Sequence, residues 1–383
     1  MRSGRASRLA SLLGTALLAT ACSGEPNTSA PTVTASAGSE ESPTPEPSTP
    51  SSSGSTPDAP SGPPEVTATI AEGLAVPWGI AFLPDGSALV TERDTERVLL
   101  VPGDGSVQEV GRIDSAAPEG EGGLMGVALS PDFAQDQRVF FYLTTAEDNR
   151  IVRATYDGSG IADVEPILTG IPKGFIHDGG RLAFGPDGFL YASTGETGEP
   201  DLAQDRGSLA GKVLRITADG EPAPGNPGGT PVFTWGHRNV QGLAFDDTDR
   251  LWASEFGDST FDELNLIEQG TNYGWPEVEG RAESGGTGFT DPQVVWRTSE
   301  ASPSGLAFLD GSLWLGALRG TRLWRVPVDG ARAGQPRDFF VGDYGRLRTV
   351  ATAPDGTLWV TTSNRDGRGE PAARDDRILQ VTP

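Results

Sequence analysis

The sequence predicts an all-β chain: a six-bladed β-propeller behind a disordered N-terminal tether. Three observations carry that prediction. A two-strand unit recurs six times over residues 66–383, each copy an apolar stretch, a tight turn (Pro-Asp-Gly in the clearest copies) and a second apolar stretch. The copies start roughly 45–65 residues apart, the spacing of propeller blades. No segment of this region repeats its apolar residues at helical spacing, while the chain's 52 glycines and 31 prolines suit many turns between short strands.

The elements follow in chain order. Residues 1–22 have the layout of an export signal: Arg2, Arg5 and Arg8, then the apolar Leu9 to Ala19, then small residues ahead of Cys22. The apolar run is too short to be a permanent membrane span. A small-residue run ending in cysteine resembles a bacterial lipobox, with Cys22, the one cysteine of the chain, as the residue that would carry the lipid. Residues 23–65 are Ser, Pro, Thr, Gly and Glu with almost no large apolar side chain, a composition that buries no core and predicts an extended tether. From Val66 onward the hairpin units begin at Gly79, Gly126, Arg181, Gly242, Gly305 and Thr349. The strand-like Val66–Ile70 and Arg377–Val381 are expected to pair in one blade and close the ring.

Composition narrows the function classes. The net charge is −24, from 53 acidic and 29 basic residues, and only Lys173 and Lys212 are lysines. A nucleic-acid-binding face needs clustered cations, so that partner is excluded. A single cysteine excludes an intrachain disulfide.

Polar residues concentrate just before the first strand of a unit and just after the second. Glu121 precedes unit two, His177 precedes unit three, and Arg238 and Asn239 precede unit four. Arg319 follows unit five, Arg346 and Arg348 precede or open unit six, and Asn364 follows it. Equivalent positions of radial repeats face one channel mouth, so these eight residues are expected to converge there. Four arginines and one imidazole in a chain this acidic suit an anionic ligand with planar carboxylates, which guanidinium grips in bidentate fashion. Histidine is the usual proton-transfer side chain near neutral pH.

Several ordered segments together resemble the glucose/sorbosone dehydrogenases, the soluble quinoprotein aldose dehydrogenases. They are Pro77-Trp78-Gly79-Ile80-Ala81-Phe82-Leu83-Pro84-Asp85-Gly86, Gly122-Gly123-Leu124-Met125-Gly126-Val127-Ala128, His177-Asp178-Gly179-Gly180-Arg181, Gly211-Lys212-Val213-Leu214-Arg215, Gly236-His237-Arg238-Asn239, Asp262-Glu263-Leu264-Asn265 and Asn272-Tyr273-Gly274-Trp275-Pro276. The resemblance implies pyrroloquinoline quinone (PQQ) and Ca²⁺ in the channel mouth and oxidation of an aldose sugar at C1 to the lactone. It implies His177 as the base, aided by Arg238. It implies cofactor contacts from Glu121, Arg238, Asn239, Arg319, Arg346, Arg348 and Asn364. It places one Ca²⁺ on the carbonyls of Gly257 and Asp258, and a second on Glu263 and the Tyr273 carbonyl, with Asp262 beside them. Arg319 stands where the family often has lysine, Glu121 where glucose oxidisers have glutamine, and Glu196 where they have aspartate. The preferred sugar is therefore left open. So are the external electron acceptor and the choice between monomer and homodimer.

Two other readings compete. A propeller lactonase holds a metal on Glu, Asn and Asp side chains at the channel, whereas Arg and His are expected to converge here. A non-catalytic binding propeller would keep the scaffold alone, since fold does not fix function. The expected setting is the outer face of a bacterial cell membrane, through the lipid on Cys22, or secretion.

Overall fold

The computed structural model describes residues 62–282 and 288–383, and nearly all of their regular structure is β. The signal segment, Cys22 and the tether up to residue 61 lie outside the described residues. The first strand, β1 (Glu65–Glu72), belongs to the last blade. Blade one is β2 (Pro77–Phe82), β3 (Ala88–Glu92), β4 (Arg97–Val101) and β5 (Gln108–Arg112). Blade two is β6 (Leu124–Leu129), β7 (Arg138–Thr144), β8 (Asn149–Tyr156) and β9 (Ile161–Ile171). Blade three is β10 (Leu182–Phe184), β11 (Leu190–Ser193), β12 (Lys212–Ile216) and β13 (Val232–Trp235). Blade four is β14 (Asn239–Phe245), β15 (Leu251–Phe256), β16 (Phe261–Ile267) and β17 (Val294–Arg297). Blade five is β18 (Pro303–Leu309), β19 (Ser312–Ala317) and β20 (Arg322–Asp329), with the short β21 (Arg332–Ala333) and β22 (Arg337–Phe339) both on β20. Blade six is β23 (Leu347–Thr352), β24 (Leu358–Thr362) and β25 (Arg377–Thr382), completed by β1.

This is the expected six-bladed propeller, closed as expected by its two chain ends. The β1–β25 pair is antiparallel, with Thr69 opposite Leu379 and Ala71 opposite Ile378. Among the described residues the helices are one four-residue α-turn, Phe133–Asp136, and two short 3-10 turns.

The turns read from sequence form as local chemistry dictates. Asp85 Oδ1 accepts the Ser87 N–H at 3.0 Å, the Gly86 N–H closes onto the Leu83 carbonyl at 2.9 Å, and Gly86 sits at φ 86°. Asp187-Gly188 and Asp355-Gly356 repeat the arrangement. A positive φ is what glycine supplies at little steric strain.

Packing explains the repeat. The apolar residues form six clusters; five lie between two neighbouring blades, and the one between blades two and three also takes in Trp78 of blade one. Leu89 and Val98 of blade one meet Val127 and Phe141 of blade two. Trp252 and Leu264 of blade four meet Leu306 and Leu313 of blade five. The sixth cluster joins Trp359 and Ile378 to Val90 and Leu99 of blade one, so the core is continuous around the ring. A strand buried on both faces reads as a nearly unbroken apolar run, the texture of the second strands.

The first strands pack on one another around the axis. The position that opens the repeat is glycine in four blades because the neighbouring first strand comes too close for a side chain. A Cβ on Gly126 would stand 2.2 Å from the Gly180 carbonyl, and one on Gly242 2.4 Å from that of Ser304. Blades three and six carry Arg181 and Thr349 instead, and these fill the axis. Arg181 Nε donates to the Gln241 carbonyl at 2.8 Å, Nη2 to Thr349 Oγ1 at 3.3 Å, and its guanidinium lies 4.2 Å from the Trp78 ring centroid. Burial, with Arg348 nearby, pulls its pKa down to about 9.

Candidate active site

In an antiparallel pair, the start of one strand and the end of the next lie at the same end. That geometry gathers the loops before the first strands and after the second strands at one mouth. There the ring encloses a cavity of about 640 Å³ to which every blade contributes. Glu121, His177, Arg238, Asn239, Arg319, Arg346 and Arg348 line it, together with Gly257 and Asp258. Gln241 and Asp366 also line it, as do Arg93 and Arg368, which sequence reasoning did not single out.

His177 is held on three sides. Its backbone is left-handed at φ 60°, and its carbonyl is covered so closely that a Cβ on Gly195 would lie 1.9 Å away. Its N–H donates to Glu121 Oε2 at 3.0 Å, and Glu121 Oε1 accepts from Arg368 at 2.7 Å. Burial pushes the Glu121 carboxyl up, but these hydrogen bonds outweigh it and hold the group below its ordinary value. The His177 ring is bound through Nδ1 to Glu196 Oε1, and both residues are buried. A carboxylate on Nδ1 selects the tautomer whose Nε2 has a lone pair, and it stabilises the imidazolium that forms when Nε2 takes a proton. Next to it, burial pushes the Asp178 carboxyl up to about 6, opposed by hydrogen bonds from Gly174 and Asn149.

Blade four brings Arg238 and Asn239. Arg238 Nη2 pairs with Asp258 at 3.0 Å, the guanidinium lies 5.3 Å from the Trp275 centroid, and Nε is buried with no protein partner. Asn239 Oδ1 accepts from the Gly179 N–H at 3.1 Å. The other histidine, His237, is fully buried behind them, bound to Glu255 at 2.8 Å and Thr234 at 2.9 Å and stacked on Tyr273.

Arg319 of blade five is exposed on the rim. Arg346 and Arg348 share the buried Asp366, at 2.8 and 3.3 Å. Burial pulls the Arg348 pKa down to about 10 against the support of Asp366. Asn364 departs from expectation: it does not line the cavity. Its amide is spent on the blade-six loops, accepting the Arg346 N–H at 2.8 Å and donating to Tyr344 and Asp375, each at 3.0 Å. It sets the Arg346 backbone instead.

The expected metal residues divide in the same way. Gly257 and Asp258 border the cavity. The Asp262 oxygens accept the N–H groups of Gly257 at 3.0 Å and Ser302 at 2.6 Å, bracing the loop. Burial, reinforced by Glu255, pushes the Glu263 carboxyl up to about 8. The side chain of Asn265 donates to both glutamates, while its Oδ1 is buried without a partner. Tyr273 uses its hydroxyl on the Leu266 carbonyl at 2.6 Å. No group of three or more His, Cys, Asp or Glu among the described residues is placed to hold a metal. A cation here would draw on backbone and amide oxygens beside a carboxylate, the hard donor set that suits Ca²⁺.

The lining holds six guanidiniums and three carboxylates, an excess of three positive charges in an acidic chain. With the partnerless Arg238 Nε, this fits a ligand bearing several carboxylates.

The sequence profile of the family described as Glucose / Sorbosone dehydrogenase matches residues 74–373. The chain belongs to that family. Its relatives within the glucose/sorbosone dehydrogenases include the aldose sugar dehydrogenase YliI of Escherichia coli, 31% identical over 80% of this chain and 90% of that protein. Quinoprotein glucose dehydrogenase B of Acinetobacter calcoaceticus is 33% identical over 58% of this chain and 54% of that one. Among solved structures, the PQQ-bound aldose sugar dehydrogenase of Streptomyces coelicolor is 55% identical, with a TM-score of 0.80, covering 83% of this chain and 97% of that one.

Proposed function

We propose that the protein is a PQQ- and Ca²⁺-dependent aldose sugar dehydrogenase that oxidises the C1 hydroxyl of its substrate to the lactone. The observation that carries the reading is the His177–Glu196 pair at the edge of a cavity with three excess positive charges. Its support is family membership and the likeness to a PQQ-bound relative.

Each group has a definable task. The Arg346–Arg348–Asp366 cluster and the exposed Arg319 would hold cofactor carboxylates. Arg238 and Asn239 would face its quinone oxygens, and the Gly257 and Asp258 carbonyls would hold Ca²⁺. When bound, PQQ supplies the two-electron acceptor for the C1 hydride, and Ca²⁺ supplies Lewis acidity. The protein's part is proton transfer and positioning. His177 Nε2 removes the C1 hydroxyl proton, and Glu196 steadies the resulting imidazolium. The Arg368–Glu121 bridge fixes the His177 backbone and presents polar groups to the sugar ring. Glu263, Glu255 and Asn265 gather buried acceptors that suit a second, structural Ca²⁺.

The test is reconstitution with PQQ and CaCl₂, followed by dye reduction across an aldose panel. Sugar oxidation that needs both additions supports the reading; lactone hydrolysis with Ca²⁺ alone would replace it with the lactonase. The same proposal places the enzyme outside the cell, anchored through a lipid on Cys22. Cys22→Ala should release active protein from the membrane fraction, and retention there would remove the lipid anchor.

A further inference from the structure

Arg93 is the lining cation to which the reading above gives no role. It follows β3, at the one blade whose mouth contribution was not foreseen. Only 6% of the residue is exposed, yet it borders the cavity. Its backbone is pinned: its carbonyl accepts the Leu124 N–H at 3.1 Å, and a Cβ on Gly123 would come 2.9 Å from the Arg93 Cγ. The stem thus lies close against Gly123.

The charge around it is unbalanced. Asp94 takes Nε and Nη2, at 2.5 and 3.2 Å, but that carboxylate is 41% exposed to water and does not line the cavity. Arg93 lines the same cavity as Arg348, and its charge helps, after burial, to lower the Arg348 pKa. Asp366 spends one oxygen, Oδ2, on both Arg346 and Arg348. The cavity therefore gathers three guanidiniums in its lining, two of them sharing the buried Asp366 and the third paired with the water-exposed Asp94. Like charges gathered and desolvated in this way are destabilising unless an anion completes them.

We infer that Arg93 is a further ligand-binding residue, which with Arg346 and Arg348 forms a three-guanidinium seat for one carboxylate of the bound cofactor. The inference rests on the proposed PQQ reading. It assigns a contact from blade one, opposite the blade-four residues that would face the quinone.

The test is the affinity of the apo protein for PQQ, followed by quenching of tryptophan fluorescence, with thermal unfolding recorded alongside. Arg93→Met should raise Kd about ten- to a hundredfold, the range for losing one charge-assisted hydrogen bond. Arg93→Lys, which keeps the charge and loses the fork, should fall between. PQQ trimethyl ester, which lacks the carboxylate charges, should bind wild type and Arg93→Met with nearly equal Kd. Unchanged PQQ affinity in Arg93→Met overturns the inference, as does a full penalty that persists with the ester. If Arg93→Met does not fold, a Kd for Arg93→Lys equal to wild type overturns it. Failure of the wild type to bind PQQ overturns the broader reading instead, so the two failures are distinct.

Discussion

His177 shows how much a residue's neighbours decide what it does. The chain's two histidines each sit next to a glutamate, but His237 is bonded at both ring nitrogens and fully buried, while His177 leaves Nε2 toward the cavity. His177→Gln should therefore lower kcat by roughly 10²–10⁴-fold, the span for losing a general base. Its PQQ affinity should stay near wild type, as read by titration of the reconstituted variant. Asp246 is the structural counterpart, far from the cavity. Burial pushes its carboxyl up, and hydrogen bonds from Trp252, Arg250 and Thr248 outweigh it and hold the pKa at about 2. A folded pKa below the unfolded 3.8 means stability present above pH 3.8 and lost as pH falls toward 2. Asp246→Asn should lose about 2 kcal/mol at pH 7, by urea unfolding, and the gap to wild type should narrow by pH 2.5.

At the scale of the element, the hairpin and its turn are local, and so they were legible. Pro-Asp-Gly, the apolar strands and the polar flanks can all be read within a dozen residues, and strand β1 begins at Glu65, one residue before the predicted boundary. What escaped depends on contacts distant in the chain. Arg93 and Arg368 look like ordinary charges beside acidic neighbours; only ring closure brings Arg368 to Glu121, 247 residues away. Asn364 and Asp262 had the right residue type in the right loop, but backbone N–H groups bond to their oxygens. No sequence pattern shows which donors will fold back onto a side chain. The opening glycine of four units was visible only as a repeat; its reason is the neighbouring strand. Gly126→Ala should destabilise the fold by roughly 1–3 kcal/mol, the usual range for overpacking, measured by denaturant unfolding.

The whole molecule is held shut by one seam. Five blades are built from consecutive strands, and the sixth needs β1 from the other end of the chain. A protein beginning at Pro64 should fold and turn over like the full chain. One beginning at Ala75, which lacks β1, leaves Trp359, Ile378, Val90 and Leu99 without the cover of Ile70 and Ala71. It should show a markedly lower thermal midpoint, or fail to fold, in a circular dichroism melt.

Arg181, lying across the axis between Trp78, Gln241 and Thr349, makes the ring a vessel with a floor. Anything that enters by the mouth must leave by the mouth, and in reverse order. On the proposed reading, a cofactor held by Arg346 and Arg348 below the sugar would depart only after the sugar has gone. Saturating substrate should therefore slow the escape of PQQ from the loaded protein, a retention visible when excess apo relative is added as a trap. Opening the floor with Arg181→Ala should shorten that residence even where every residue that touches the cofactor is intact.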